Sequence, residues 1–222
     1  MLQITTFEPN INFLSLNVGM SSTLAGLSTL ITSQKLDVIF LQEVRLSSEQ
    51  LELLLGGLGF KAAVNIDHEC PTSPGTALVW RTSLPVTDVC TLLSCRAQVA
   101  RLGHYMLLNL YAPSGSDKKH ERNRFFGQDI FRSLQLGTKD TWVLGGDYNC
   151  VLSPQDVEGG VGFSQKFCPA LKDLVWTAGL CDVFQCFTVV VTVFHCVGVV
   201  YVVCFCVSLW LSLCFTVLGW FI

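Results

Sequence analysis

The order of apolar and polar positions divides the chain into short elements. Residues 11–18, Ile-Asn-Phe-Leu-Ser-Leu-Asn-Val, alternate and predict a strand ending at Asn17. Ser21 or Ser22 then caps a helix that carries Leu24, Leu27, Leu30 and Ile31 on one face and reaches about Gln34. Asp37 leads into Val38-Ile39-Phe40-Leu41, an unbroken apolar run of the kind buried on both faces of a sheet, and the run ends in Gln42-Glu43-Val44. Ser47 and Gln50 have capping-box spacing for a helix through Leu55, closed by Gly56 and Gly57.

The pattern then changes. Residues 60–65, 76–81, 86–92, 97–102 and 105–111 predict short strands separated by turn residues, a meander in place of further strand–helix units. The last of them runs into the turn Tyr111-Ala112-Pro113-Ser114-Gly115-Ser116. Residues 117–136 predict the longest helix, with Phe126, Ile130 and Leu134 four apart and Lys118, Lys119, Arg122 and Arg124 in its first turns. Residues 141–144 predict a buried strand that stops at Gly145 and Gly146 and presents Asp147, Tyr148 and Asn149. A loop through residues 157–160, a helix from Pro169 to about Ala178 and the segment Asp182-Val183-Phe184 follow. The whole reads as an α/β domain.

Composition alters this picture mainly at one end. The 222 residues carry a net charge of −3, so any nucleic-acid contact must be local, not a global basic field. Eleven cysteines suggest a disulfide framework, but residues 1–10 hold Glu8 and Pro9 and no apolar signal core, and no zinc-type spacing occurs. The cysteines are therefore expected to be reduced thiols. Residues 186–222 contain no Asp, Glu, Lys or Arg. They divide the chain into an expected domain, 1–185, and an uncharged hydrophobic tail, 186–222, expected to lie outside that domain.

The tail exceeds the roughly 20 apolar residues a membrane helix needs, but it lacks flanking Lys or Arg to orient it. Its Val, Phe, Thr and Cys content favours strand over helix. Val, Phe, Cys, Leu, Trp and Gly also share codons built only from G and T, which is what translated non-coding sequence would give. Two readings stand: foreign sequence with a helical conformation or no defined element and no part in a functional site, or a membrane anchor.

Polar residues fall at four strand ends: Asn17, Glu43, Tyr111, and Asp147 with Asn149. Open α/β sheets bind ligands at such ends. One carboxylate, Glu43, with the Asn17 amide oxygen and water offers the hard-oxygen set that Mg²⁺ prefers. Asp147 can orient a water, and Asn149 and the Tyr111 hydroxyl can hold phosphate oxygens. In extended geometry Asp147 and Asn149 point to one side. Blander roles exist for each: an Asx turn at Asp147, a helix cap at Glu43, a core ring at Tyr111 and a solvated helix face for the Lys/Arg cluster, which otherwise suits a DNA backbone.

The ordered set Ser-Leu-Asn17-Val, Leu-Gln-Glu43-Val-Arg, Leu-Tyr111-Ala-Pro and Gly-Gly-Asp147-Tyr-Asn149 resembles the endonuclease/exonuclease/phosphatase superfamily. It is most similar to the apurinic-like endonuclease domain of non-LTR retrotransposons, over roughly residues 11–185. The resemblance implies a two-sheet α/β sandwich, incomplete at its C-terminus, that cleaves DNA phosphodiesters in the nucleus with Mg²⁺, or Mn²⁺ in its place. Glu43 would serve the metal, Asn17 the metal or the phosphate, Asp147 the attacking water, and Tyr111 and Asn149 the phosphate. Asp156 matches an acidic position of structural type. The family's late Ser-Asp-His motif is absent: none of His68, His104, His120 and His195 follows Ser-Asp. Weak or absent activity is therefore expected. A membrane-tethered phosphodiesterase of phosphoinositide or sphingomyelin type, or a non-catalytic binding module, is the alternative.

Overall fold

The computed structural model describes residues 11–19, 21–67, 73–130, 141–154, 162–180 and 203–205. Leu134, Asp156, the 157–160 loop, residues 182–184, His68, His195 and most of the tail lie outside the described residues. The first half comprises β1 (Phe13–Asn17), α1 (Ser21–Gln34), β2 (Val38–Val44), α2 (Ser48–Leu55), β3 (Phe60–Asn65) and β4 (Gly75–Arg81). The second comprises β5 (Val86–Leu92), β6 (Ala97–Leu102), β7 (Tyr105–Tyr111), α3 (Lys119–Arg124), β8 (Thr141–Asp147), α4 (Phe163–Lys166), α5 (Pro169–Thr177) and β9 (Val203–Phe205).

Two sheets result, ordered β1-β2-β4-β3 and β5-β6-β7-β8-β9. The alternation of side chains along β2 explains how they stack. Val38 and Phe40 pack with Leu78, Leu102, Leu107 and Val143 between the sheets. Ile39 and Leu41 point the other way, onto Leu27, Ile31, Leu51 and Leu55 of α1 and α2. The far face of the second sheet, through Leu108, Leu110, Trp142 and Leu144, is covered by Phe125, Phe126, Ile130, Leu171 and Leu174. The fold is the expected two-sheet α/β sandwich with helices outside both sheets.

Local chemistry sets several boundaries. At the start of α2 the Ser47 hydroxyl accepts from the Gln50 backbone N–H at 3.2 Å, and the Ser47 N–H donates to Gln50 Oε1 at 2.9 Å, a full capping box. Buried polar pins cross between the sheets. Gln42 Nε2 donates to Asn109 Oδ1 at 2.8 Å, and Asn109 Nδ2 donates to the carbonyls of Leu41 and Ala77, both at 2.9 Å. The Asn109 amide, paired at its oxygen and through both donated bonds, fixes one sheet against the other, while Gln42 Oε1 is buried without a partner among the described residues.

Three expectations need correction. The strand expected to stop at Gly145 continues through both glycines to Asp147. The glycines serve close approach in place of a turn: a Cβ at Gly145 would overlap the Phe40 ring, and one at Gly146 would overlap the Leu110 carbonyl. The expected single helix from residue 117 is a 3-10 turn (Ser116–Lys118), then α3, then a π-helical turn (Phe125–Ile130). The wider turn buries Phe125 and Phe126 side by side, edge to face with centroids 5.1 Å apart, together with Ile130. Finally, three tail residues form a strand, β9, parallel to β8, where a helix or no defined element is expected. They occupy the edge that β8 leaves open. Among the described residues no helix is long and apolar enough to cross a membrane.

Candidate functional site

β1 and β2 are parallel in the first sheet, β7 and β8 in the second, and each pair brings its carboxyl ends together. Tyr111 and Asp147 are direct register partners. Asn17 closes the gap between the sheets: its Nδ2 donates to Glu43 Oε1 and to Asp147 Oδ2, both at 2.9 Å. The Tyr111 hydroxyl donates to the same Glu43 Oε1 at 3.2 Å. Asn149 joins through its backbone N–H, which donates to Asp147 Oδ1 at 2.9 Å, and its Nδ2 donates to the Ala112 carbonyl at 2.9 Å. The structure thus brings all five sequence-selected residues into one connected cluster.

Glu43 reaches this cluster because β2 is irregular there. The register shifts between Gln42 and Val44, and Glu43 has φ +59°. Strict alternation would aim Glu43 with Ile39 and Leu41 at the helices. The bulge gives that place to Val44, which is buried against them, and frees Glu43 for the sheet edge. A left-handed conformation at a non-glycine residue is strained and is held by its surroundings. Gly19 is one of them: its N–H donates to Asn17 Oδ1 at 2.9 Å, and a Cβ there would overlap Glu43 Oε2.

Asn149 also departs from the extended geometry expected of it. Its φ is +48°, and the N–H bond to Asp147 makes the Asx turn of the blander reading. Turn and cluster coexist, because the turn folds Asn149 back over the Asp147 carboxylate.

The electrostatics follow from crowding. Burial pushes the Asp147 carboxyl above the ordinary aspartate value, the Asn17 and Asn149 hydrogen bonds oppose this, and the Glu43 charge adds to it. Burial also raises the Tyr111 phenol, followed by the Glu43 charge. Tyr111 therefore stays a neutral donor, and Asp147 is a stronger base than an exposed carboxylate. Among the described residues no group of three His, Cys, Asp or Glu side chains is arranged around a common metal position.

The cationic cluster of the third helix does not form one face. Lys118 pairs with Glu121 at 2.6 Å, Lys119 donates to the Ser164 carbonyl at 2.6 Å, and Arg124 lies 3.9 Å from Asp129. Arg122 is buried. Its spacing from Phe126 and Ile130 is the signal that finds it, since 122, 126 and 130 share one helical stripe. Sequence reasoning also passes over Arg96, whose guanidinium lies 5.3 Å from the Tyr111 ring centroid and donates to the Tyr111 carbonyl at 3.2 Å. Gly19, Gln42 and Asn109 escape it as well, because close approach and inter-sheet pairing leave no local pattern.

The family model described as Endonuclease/Exonuclease/phosphatase family matches residues 14–181. The chain belongs to this family. Solved structures of the same fold are distant in sequence. An AP endonuclease from Archaeoglobus fulgidus superposes with TM-score 0.60 at 17% identity, covering 77% of this chain and 70% of its own. A 3'-5' exonuclease from Neisseria meningitidis gives TM-score 0.58 at 17% identity, covering 74% and 69%. The human Nocturnin catalytic domain gives 0.54 at 15% identity, covering 78% and 72%. No curated protein matches the chain. The endonuclease/exonuclease/phosphatase fold thus rests on the family model and on shape together.

Proposed function

We propose that the strand-end cluster is a Mg²⁺-dependent phosphodiester site for DNA, of the non-LTR retrotransposon type, working in the nucleus with low hydrolytic output. The observation that carries this is the Asn17 amide held between two carboxylates at 2.9 Å from each, with the Tyr111 hydroxyl on the same Glu43 oxygen. Two similar structures, an AP endonuclease and a 3'-5' exonuclease, are nucleases by name.

The donor set fits a hard divalent ion. Glu43 Oε2 accepts no hydrogen bond among the described residues and is the oxygen available for Mg²⁺, or for Mn²⁺ in its place. Mg²⁺ takes one or two carboxylates and keeps several waters, so a three-ligand protein cage is not required. Glu43, with the Asn17 oxygen beside it, would hold the ion. A bound Mg²⁺ would polarise the phosphoryl oxygens and stabilise the leaving oxygen.

The chain's own residues supply the rest. Asp147 is held by Asn17 at one oxygen and by Asn149 at the other, so its carboxylate is aimed without rotamer freedom. Its raised basicity suits it to orient and deprotonate a water. Tyr111, kept neutral, can turn its proton from Glu43 to a phosphate oxygen. Asn149 retains one amide N–H beyond its bond to Ala112 for the same purpose.

These 222 residues hold no Ser-Asp-His, the motif that by the resemblance carries a phosphate-contacting histidine, and the proposed low output rests on that. A missing transition-state donor lowers rates about 10²–10³-fold. The test is nicking of supercoiled plasmid by the full chain in Mg²⁺, against Glu43→Ala and Asp147→Ala. Slow, Mg²⁺-dependent nicking lost in both variants is expected. Nicking that survives both would refute the assignment, and fast nicking abolished by both would show that another group replaces the histidine.

A further inference from the structure

Arg122 is 2% exposed, yet its partners are unusual for a buried cation. Nη1 donates to the carbonyls of Pro113 at 3.1 Å and Gly115 at 2.6 Å. Its Nε has no partner. Among the described residues no carboxylate is paired with it. A buried guanidinium without an anion is costly to maintain, and neutral carbonyls offset only part of that. Arg122 lines a pocket of about 260 Å³ together with Gly115, Ser116, Asn149, Gln165 and Lys166. Asn149 is common to this pocket and to the carboxylate cluster.

We propose that this pocket binds a second phosphate of the nucleic-acid strand, adjacent to the phosphate held at the Asn17–Glu43–Tyr111–Asp147–Asn149 cluster. The proposal rests on the phosphodiester reading above. Arg122 supplies a charged donor whose orientation is already set by two carbonyls, so little freedom is lost on binding. Gln165 adds a neutral amide and Lys166 an exposed positive charge at the mouth. The pocket holds no carboxylate among its lining residues, as an anion site requires. The class of ligand is a phosphate of a strand backbone, and base identity plays no part.

Arg122 also ties the loop at residues 113–115 to α3, so its replacement can unfold the region. The test therefore uses Lys166→Gln, whose side chain is exposed, with the exposed Lys172→Gln of α5 as a charge control outside the pocket. Binding of a labelled DNA duplex by the full chain is measured over a salt series. Duplexes carrying a single uncharged methylphosphonate at successive positions are measured alongside. Lys166→Gln is expected to weaken binding about fivefold and to lower the salt slope by about one, the loss of one phosphate contact. It is also expected to abolish the affinity loss that one methylphosphonate position next to the cleavage site causes in the unmodified chain. Lys172→Gln should leave the positional pattern unchanged. Equal affinity, slope and positional pattern for the unmodified chain and Lys166→Gln would overturn the subsite while leaving the nuclease reading intact. If the unmodified chain binds no duplex, titration with inorganic phosphate decides. Binding that Lys166→Gln weakens keeps the pocket as a phosphate site and removes the DNA reading, and no binding overturns both.

Discussion

Asn109 is the residue whose loss should most clearly separate the two sheets. It is fully buried and makes three inter-sheet hydrogen bonds, one accepted from Gln42 and two donated to the carbonyls of Leu41 and Ala77. Asn109→Leu keeps roughly the same volume and removes all three. Each bond contributes about 1 kcal/mol net, and the groups left behind add a further desolvation penalty, so a loss of about 3–4 kcal/mol is expected. Gln42→Leu alone removes one bond to Asn109 and a longer one, 3.3 Å, to Ser15, and should cost about 1–2 kcal/mol. The double variant removes both partners of the shared bond and should be more stable than the sum of the singles by about 1 kcal/mol, the signature of coupled neighbours. The assay is urea unfolding followed by tryptophan fluorescence, compared at constant m-value. An Asn109→Leu cost below about 1 kcal/mol, or strict additivity of the pair, would refute the claim that this network holds the sheets in register.

The remaining predictions concern pH, packing and a cap. Asp147 has a folded-state pKa above its ordinary 3.8, so its protonated form is favoured in the fold. Its contribution to stability is full below 3.8 and is lost as pH rises through the raised folded value. The stability of the unmodified chain relative to Asp147→Asn should accordingly fall with rising pH across that window, read from denaturation midpoints, and a flat difference would show that Asp147 is not perturbed. Gly145→Ala drives a Cβ into the Phe40 ring and should cost about 1–3 kcal/mol as overpacking, seen as a lowered Tm. Ser47→Ala removes the hydroxyl half of the capping box at α2 and should cost about 1 kcal/mol without changing Mg²⁺ or DNA binding.

The fold was legible where local pattern and tertiary need agree. The unbroken Val38–Leu41 run announced a strand buried on both faces, and the Ser47/Gln50 pair announced the start of α2. The five polar residues at four strand ends were legible because each group follows an apolar run that ends at the same side of its sheet. The rest depends on contacts distant in sequence. Gly145 and Gly146 look like a turn until Phe40 and Leu110 are seen against them. Arg122 is the exception, since the 122, 126 and 130 stripe is local and was masked only by the cations around it. The bulge that swings Glu43 toward Asn17 has no sequence signature, since it arises from the mismatch of β2 against β4. The three-residue β9 was obscured for another reason: the composition of the uncharged run favours strand over helix, but the same residues are what translated non-coding sequence would give, so the pattern does not say which of them pair.

The central claim is that Glu43 and Asn17, brought together by the two parallel strand ends of the first sheet, offer a Mg²⁺ site to which Asp147, Tyr111 and Asn149 add the phosphate chemistry. Calorimetric titration of Mg²⁺ into the full chain and into Glu43→Gln tests it without requiring catalysis. One weak site in the unmodified chain, lost in Glu43→Gln and retained in Tyr111→Phe, is the result expected. No Mg²⁺ binding by the unmodified chain, or binding that Glu43→Gln leaves unchanged, would contradict it.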